Sequence, residues 1–267
     1  MANVIDDPLT VESEKSPPSP EHTIRVGCAG WSIPQESVGF FSPEGHHLQR
    51  YARVLNCCEI NSSFYRSHKE ATWARWRQFV PPEFRFSVKM PREITHEGAL
   101  NCSPETLLSF LQQISTLKEK VAVVLVQLPP GLEFSPERAK TFLSMFRDNY
   151  SGSIAWEPRH SSWFSDEANA VLSQFGIARV AADPAVVRSA SQPGGFTDFT
   201  YFRLHGSPRR YYSEYSEAFL GTLASRLAGL APTHKVWCIF DNTAAGFAIQ
   251  NALGLMARLR QVDDDAP

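Results

Sequence analysis

No C-x-x-C, H-x-H or H-E-x-x-H occurs anywhere in the 267 residues, so the short spacings that build common zinc sites are missing. Cysteine is scarce: Cys28, Cys57, Cys58, Cys102 and Cys238 form an odd set without the spacing of a disulfide framework. That suits a reducing compartment, where such thiols pack as small hydrophobes. The fingerprint G-x-G-x-x-G is absent, which counts against a dinucleotide-binding open sheet. No apolar run reaches the length of a membrane span, and the N-terminus lacks a basic-then-apolar signal. Charge of one sign is lacking too. The formal net charge of −2 argues against a chain built mainly to hold nucleic acid by its field. These absences predict a cytoplasmic protein with no membrane association.

What is present is ordinary for a globular domain: 43% hydrophobic and 20% charged residues. Residues 1–22, rich in Pro, Ser and acidic groups, read as a disordered tail, and 261–267, ending VDDDAP, as another. Residues 23–260 contain no Gly/Ser linker and form one domain. In it short apolar runs alternate with stretches of helical period. The runs are IRVGC (24–28), CCEIN (57–61), FRFSVK (84–89), AVVLVQ (122–127), SIAWE (153–157), IARVAAD (177–183), FTYFRLH (199–205) and KVWCIF (235–240). Ser103-Pro104 and Ser135-Pro136 mark two helix starts. Between Asp183 and Phe196 a turn of helix is the most that the sequence AVVRSASQPGG offers. The pattern predicts a single parallel eight-stranded (β/α)₈ TIM barrel, with one weak or missing helix between strands six and seven.

Residues two apart on a strand share a face, and in a barrel that period separates lumen from helix-covered wall. Cys57 then faces inward and Cys58 outward. The pairs Glu59 and Asn61, Ser87 and Lys89, and Ala181 and Asp183 are assigned to the lumen. So are Ser153, Ala155 and Glu157, and Tyr201, Arg203 and His205, while strand four ends on Gln127 and strand eight runs into Asp241-Asn242. Polar strand ends are unremarkable one at a time. So many charged groups gathered at one end of a closed barrel would be costly to bury unpartnered, and that end is where barrel enzymes keep their reactive groups. Arg25, Arg85 and Arg179 fall on the lumen parity lower down, which requires carboxylate partners inside the barrel or a different register. Loops add Arg92 and His96, then Arg159, His160 and Trp163, then Arg209, Arg210, Tyr211 and Tyr212.

Taken in order, GCAGW (27–31), EINSSFYR (59–66), FSVKMPREITHE (86–97), VQLPP (126–130), EPRHSSWF (157–164), RLHG (203–206) and FDNTAAGFAIQNA (240–252) resemble the YecE-like domain-of-unknown-function family, number 72 in that series. The resemblance spans about residues 24–256 and implies a TIM barrel with a polar rim, but no reaction. Carried across by motif, its polar signature falls on Glu59, Asn61, Tyr65, Lys89, His96, Gln127, Glu157, Arg159, His160, Arg203, His205 and Asn242. The chain departs from the family pattern at Pro158, Asp241 and Thr243, which leaves roles at Asp241 and Thr243 unassigned.

The chemistry of these residue types points to an enzyme acting on a small anionic substrate, phosphorylated or sugar-like, as a hydrolase or isomerase. Glu59 and Glu157 are the candidate acid and base, His205 and His160 proton shuttles, and Lys89, Arg203 and Arg159 charge stabilisers. Lys89 could also form a Schiff base. Trp31, Tyr65 and Trp163 suit stacking, and Asn61, His96, Gln127, Asp183, Arg209, Tyr211 and Asn242 complete the expected binding set. No cofactor is evident. A divalent metal is compatible with the ligand-type residues Glu59, His96, Glu157, Asp183 and His205, although the adjacent cations compete for the carboxylates. The alternative is a barrel binding nucleic acid or a nucleotide, including a metal-assisted phosphodiesterase or nuclease-like hydrolase.

Overall fold

The apolar runs become parallel strands because both of their faces are buried, one in a lumen and one under helices. The computed structural model describes residues 24–264, so the tail expected at 1–22 lies outside the described residues. The strands are β1 (Ile24–Ala29), β2 (Cys57–Ile60), β3 (Arg85–Lys89), β4 (Val121–Gln127), β5 (Ser153–Glu157), β6 (Ala178–Arg179), β7 (Ala181–Asp183), β8 (Gly194–Gly195), β9 (Phe199–Leu204) and β10 (Lys235–Phe240). The helices are α1 (His47–Ala52), α2 (Ser62–Tyr65), α3 (Glu70–Gln78), α4 (Pro104–Ser115), α5 (Pro136–Asn149), α6 (Asp166–Gln174), α7 (Glu217–Leu230) and α8 (Phe247–Asp264).

Neighbouring strands follow the order β7-β9-β10-β1-β2-β3-β4-β5-β6-β8. β6 and β7 are two pieces of one stave interrupted at Val180, the first pairing with β5 and the second with β9. β8 is a short antiparallel addition to β6. Eight staves thus make a nearly closed TIM-type barrel. Between β7 and β9 no helix forms among the described residues, only a 3-10 turn at Arg188–Ser191, as the broken period there predicts. α8 runs on to Asp264, so residues 261–264, expected as tail, are helical.

Ser103 and Ser135 cap α4 and α5 by accepting from the backbone N–H of Thr106 (3.3 Å) and Arg138 (3.4 Å). Each such cap contributes about 1 kcal/mol. Outside the barrel the main core packs Val26, Cys58, Phe86, Val124, Trp156 and Phe202 against the helices. Inside, Cys57, Val123, Leu125, Ala155, Tyr201, Trp237 and Ile239 fill the lumen. Each large apolar side chain buried in this way stabilises by roughly 1.5–3 kcal/mol. All five cysteines are free, and Cys57 faces the lumen while Cys58 faces the helices, as their parity predicts. Burial holds both thiols well above their ordinary range, so neither is poised for redox or metal chemistry.

Strand six departs from the expected alternation. Ala178, Val180 and Ala182 line the lumen, whereas Ala181 belongs to the outer core. Small residues fit inside there because Tyr201 and Trp237, from the next two staves, β9 and β10, fill the lumen beside them. Asp183 therefore lies on the wall side, where it accepts from the Tyr215 hydroxyl (2.7 Å), and the Arg179 guanidinium lies 4.7 Å from the Phe164 ring. Arg25 and Arg85 do take the lumen parity, but main-chain carbonyls rather than carboxylates receive them.

A candidate active site at the C-terminal mouth of the barrel

Arg203, fully buried near the end of β9, is the hub. Its Nε donates to Glu59 Oε2 (3.0 Å), its Nη2 to Glu59 Oε1 (2.7 Å) and its Nη1 to Glu157 Oε2 (3.1 Å). Nη1 also reaches Gln127 Oε1 at 3.4 Å, and Nη2 lies 3.0 Å from Asp241 Oδ2. One planar fork thus joins carboxylates from β2, β5 and the end of β10, geometry that a lysine could not supply. Tyr201, two residues before Arg203 on the same face, donates to Glu59 Oε2 (2.8 Å) and Ser87 Oγ (3.0 Å).

His205 continues the face. Its Nδ1 is 2.9 Å from Asp241 Oδ2 and its Nε2 2.8 Å from Glu157 Oε1. Arg159, just past β5, brings Nη2 to 2.6 Å from Glu157 Oε1 and 2.5 Å from His205 Nε2. Burial by itself would raise Glu157, but Arg159, Arg203 and His205 outweigh it and hold the carboxyl well below its usual range. Asp241 is likewise lowered against its own burial, by Arg203 and by the His205 hydrogen bond. Arg203 is the reverse case: burial opposes its charge, and Asp241, Glu59 and Glu157 raise it well above the ordinary value.

Lys89 differs from all of these. It ends β3 on the same face and is 7% exposed, yet its ammonium makes no hydrogen bond among the described residues. Its Nζ sits 4.1 Å from the Phe64 ring. Burial and then the Arg203 charge push it down to about 8, against weaker support from Glu59, Glu157 and Asp241. Arg159 Nη1 and Asn61 Oδ1 are among the buried polar atoms without partners. Beside the paired charges, the mouth therefore offers unmet groups, two donors (Lys89 Nζ and Arg159 Nη1) and the Asn61 amide oxygen among them.

The structure brings Glu59, Lys89, Gln127, Glu157, Arg159, Arg203 and His205 together. Near them, His96 lies on a π-helical turn (Glu93–Glu97), 4.9 Å from the Phe64 ring, its pKa lowered by burial and then by Lys89. Tyr211 stands edge-on to His205 at 5.7 Å and holds φ +70, a strained backbone of the kind that clusters at functional sites. Other expected residues lie elsewhere. Trp163 is buried in the wall, its indole donating to the Leu132 carbonyl (2.9 Å), and Trp31 packs edge-on against Trp76. His160 caps the turn that follows it (Ser161–Phe164), and Asp183 is held by Tyr215. Asn242 donates to Asn251 Oδ1 (2.8 Å) and the Ser213 carbonyl (2.9 Å), tying β10 to α8. Tyr65 is 71% exposed, and the exposed Arg209 stacks on Tyr212.

Asp241, Ser87 and Tyr201, which the sequence places on the lumen face or at a strand end without a role, join this network. Parity was the available signal, since Lys235, Trp237, Ile239 and Asp241 share one face and Asn242 falls on the other. Among the described residues no three His, Cys, Asp or Glu side chains are grouped to hold a metal ion, and the three carboxylates converge on Arg203 instead.

A family model described as "Protein of unknown function DUF72" matches residues 25–267. The chain belongs to this family. The DUF72 assignment agrees with its relatives. The UPF0759 protein YecE of Escherichia coli (strain K12) is 32% identical over 175 residues, 62% of this chain and 61% of that protein, so the match spans less than two thirds of YecE. The UPF0759 protein YunF of Bacillus subtilis (strain 168) is 24% identical over 88% of this chain and 94% of its own length. A solved DUF72 family protein of Thermotoga maritima superposes with a TM-score of 0.75 at 28% identity, covering 90% of this chain and all of that one. Another, from Enterococcus faecalis, shares the fold with a TM-score of 0.76 at 22% identity over 89% of this chain and 95% of that one. No helix among the described residues is long and apolar enough to cross a membrane.

Proposed function

We propose that this DUF72 protein is an enzyme that transfers a proton to or from a small anionic substrate, phosphorylated or sugar-like, at the C-terminal mouth. The carrying observation is Lys89: a buried ammonium that faces the Phe64 ring but has no hydrogen-bond or carboxylate partner among the described residues, beside a network in which the other charges are paired. An anionic oxygen there would meet Lys89 Nζ and the idle Arg159 Nη1, while the Asn61 amide takes a hydroxyl. With its pKa near 8, Lys89 can both hold the anion and exchange a proton near neutral pH. His205 and Glu157 form a relay behind it, and Asp241 fixes which imidazole nitrogen carries the proton. Glu59 accepts from Arg203 and Tyr201 through both oxygens and serves as the fixed counter-charge of the frame rather than as the base.

A screen of phosphorylated and sugar-like metabolites, read by thermal shift and turnover, tests this reading. Wild type should be stabilised by at least one compound, and Lys89→Met should abolish both the shift and the turnover. Asp241→Asn should lower turnover while keeping the shift. No Lys89-dependent shift across the screen would sink the proposal. Exposed Tyr65 and Tyr212 and the stacked Arg209 favour a second reading, in which the rim binds nucleic acid or a nucleotide. It requires a salt-sensitive retardation of single-stranded oligonucleotides that Tyr65→Ala with Arg209→Ala removes.

A further inference from the structure

We infer that the opposite, N-terminal end of the barrel carries a second binding site, for a small phosphate-bearing anion. A hollow of about 510 Å³ opens there. Arg25, Arg85 and Lys235 line it against one carboxylate, Glu119, and Trp237 and Phe199 contribute its aromatic wall. Arg85 and Lys235 start β3 and β10, Arg25 is the second residue of β1, and the ladder sets Arg25 beside Trp237 and Lys235 beside Phe199. A barrel needing only closure at this end would place apolar side chains or ion pairs there, since gathered like charges repel.

The guanidiniums are held in a way that leaves them free to bind. Arg25 uses Nη1 alone, donating to the carbonyls of Asn56 (3.1 Å) and Glu83 (3.0 Å). Arg85 also uses Nη1 alone, toward Pro82 (2.6 Å) and Phe84 (2.9 Å). The Nε and Nη2 groups of both make no hydrogen bond among the described residues, and neither arginine has a carboxylate at ion-pair distance. Snorkelling to main-chain carbonyls accounts for the Nη1 contacts, and the Arg25 guanidinium lies 5.8 Å from the Trp237 ring, while the Nε and Nη2 edges of both forks stay open to a ligand in the hollow. Two such edges and the Lys235 ammonium, lining one hollow, are the donor chemistry that phosphate oxygens take. Burial, with the nearby Arg85 charge adding to it, disfavours the Arg25 cation, a penalty that a bound anion would offset. This hollow is separate from the mouth, because lumen side chains including Tyr201, Leu125 and Ile239 fill the barrel between them.

Calorimetric titration of the full chain with inorganic phosphate, and in parallel with phenyl phosphate, tests the site. The Lys89→Met background silences the mouth. In that background phosphate should bind, and Arg85→Gln or Lys235→Gln should each weaken it about tenfold, the loss of one charge-assisted contact. Lys235 is exposed and its ammonium makes no hydrogen bond among the described residues, so its substitution leaves the fold intact even if the arginine variant does not. Tighter binding of the ester would identify an organic phosphate as the natural class, tighter binding of inorganic phosphate the free ion. Either ranking sustains the site. No heat in the Lys89→Met background, or equal affinity in the Lys235→Gln variant, would overturn it.

Discussion

Lys89 carries a cost to stability that follows from its place in the mouth. Its ordinary value of 10.5 falls to about 8 in the folded protein, a difference worth about 3 kcal/mol. Between those two pH values the unfolded chain holds a proton that the folded chain lacks, so stability rises with pH across that window. Below pH 8 the full penalty applies. Lys89→Met should therefore melt at a higher temperature than wild type at pH 7, and the gap should narrow as pH climbs toward 10.5; equal melting temperatures at pH 7 would contradict the assignment. Arg203 is the opposite case. Removing it leaves Glu59, Glu157 and Asp241 facing one another without their shared cation, at a cost of about 3–5 kcal/mol. Arg203→Met should lower the urea midpoint accordingly, and adding Glu59→Gln should restore part of it. At this scale the sequence was informative. Glu59, Lys89, Glu157, Arg203 and His205 all follow from a period of two within strands whose apolar residues fix the face. Asp241 and Asn242 were exchanged, because amino-acid type and family pattern were weighed there above parity.

Among the elements, the two strands whose lumen residues are smallest behave least like the rest. In β6 and β7 the sequence ARVAAD offers Ala on both faces, so hydrophobic size does not choose the register, and the bulk of Tyr201 and Trp237 on the next two staves favours the one found. Asp183 was thereby turned out of the mouth. In β1 the small residue is Gly27, on the lumen face at the contact with β2. A Cβ built there would lie 2.1 Å from the Cys57 carbonyl oxygen, a backbone atom that can move only if the two strands part. Gly27→Ala should cost about 1–3 kcal/mol as an overpacked site. A lowered denaturant midpoint with an unchanged slope would register that loss; an unchanged midpoint would show that the strands can separate cheaply. The longer helices are legible, because caps and apolar stripes are local features, whereas the single turn of α2 is not and α8 runs past its expected end. Nor are the partners of buried polar groups legible, because Arg203 meets Glu59 across 144 positions of sequence.

On the scale of the whole molecule, the barrel is a rigid frame with different polar chemistry at its two ends: paired charge around one idle lysine at the mouth, and unopposed arginine edges at the base. Around its circumference the frame is uneven. β4 and β5 share five residue pairs in register, whereas β6 offers two residues to β5, and β7 three to β9. That stave also lacks the helix that covers a neighbour such as β5. A circle of hydrogen bonds opens at its shortest ladder, and sub-global opening is read by amide exchange. Amides from Ala178 to Gly195 should exchange well before those of β4 and β5 under conditions where the rest stays protected. Equal protection would mean that β8 and the turn before it close the gap as firmly as a helix. The split at Val180 thus gives the barrel a seam, a fixed place from which the ring would unzip, on the side from which Arg203 reaches across to Glu59 and Glu157.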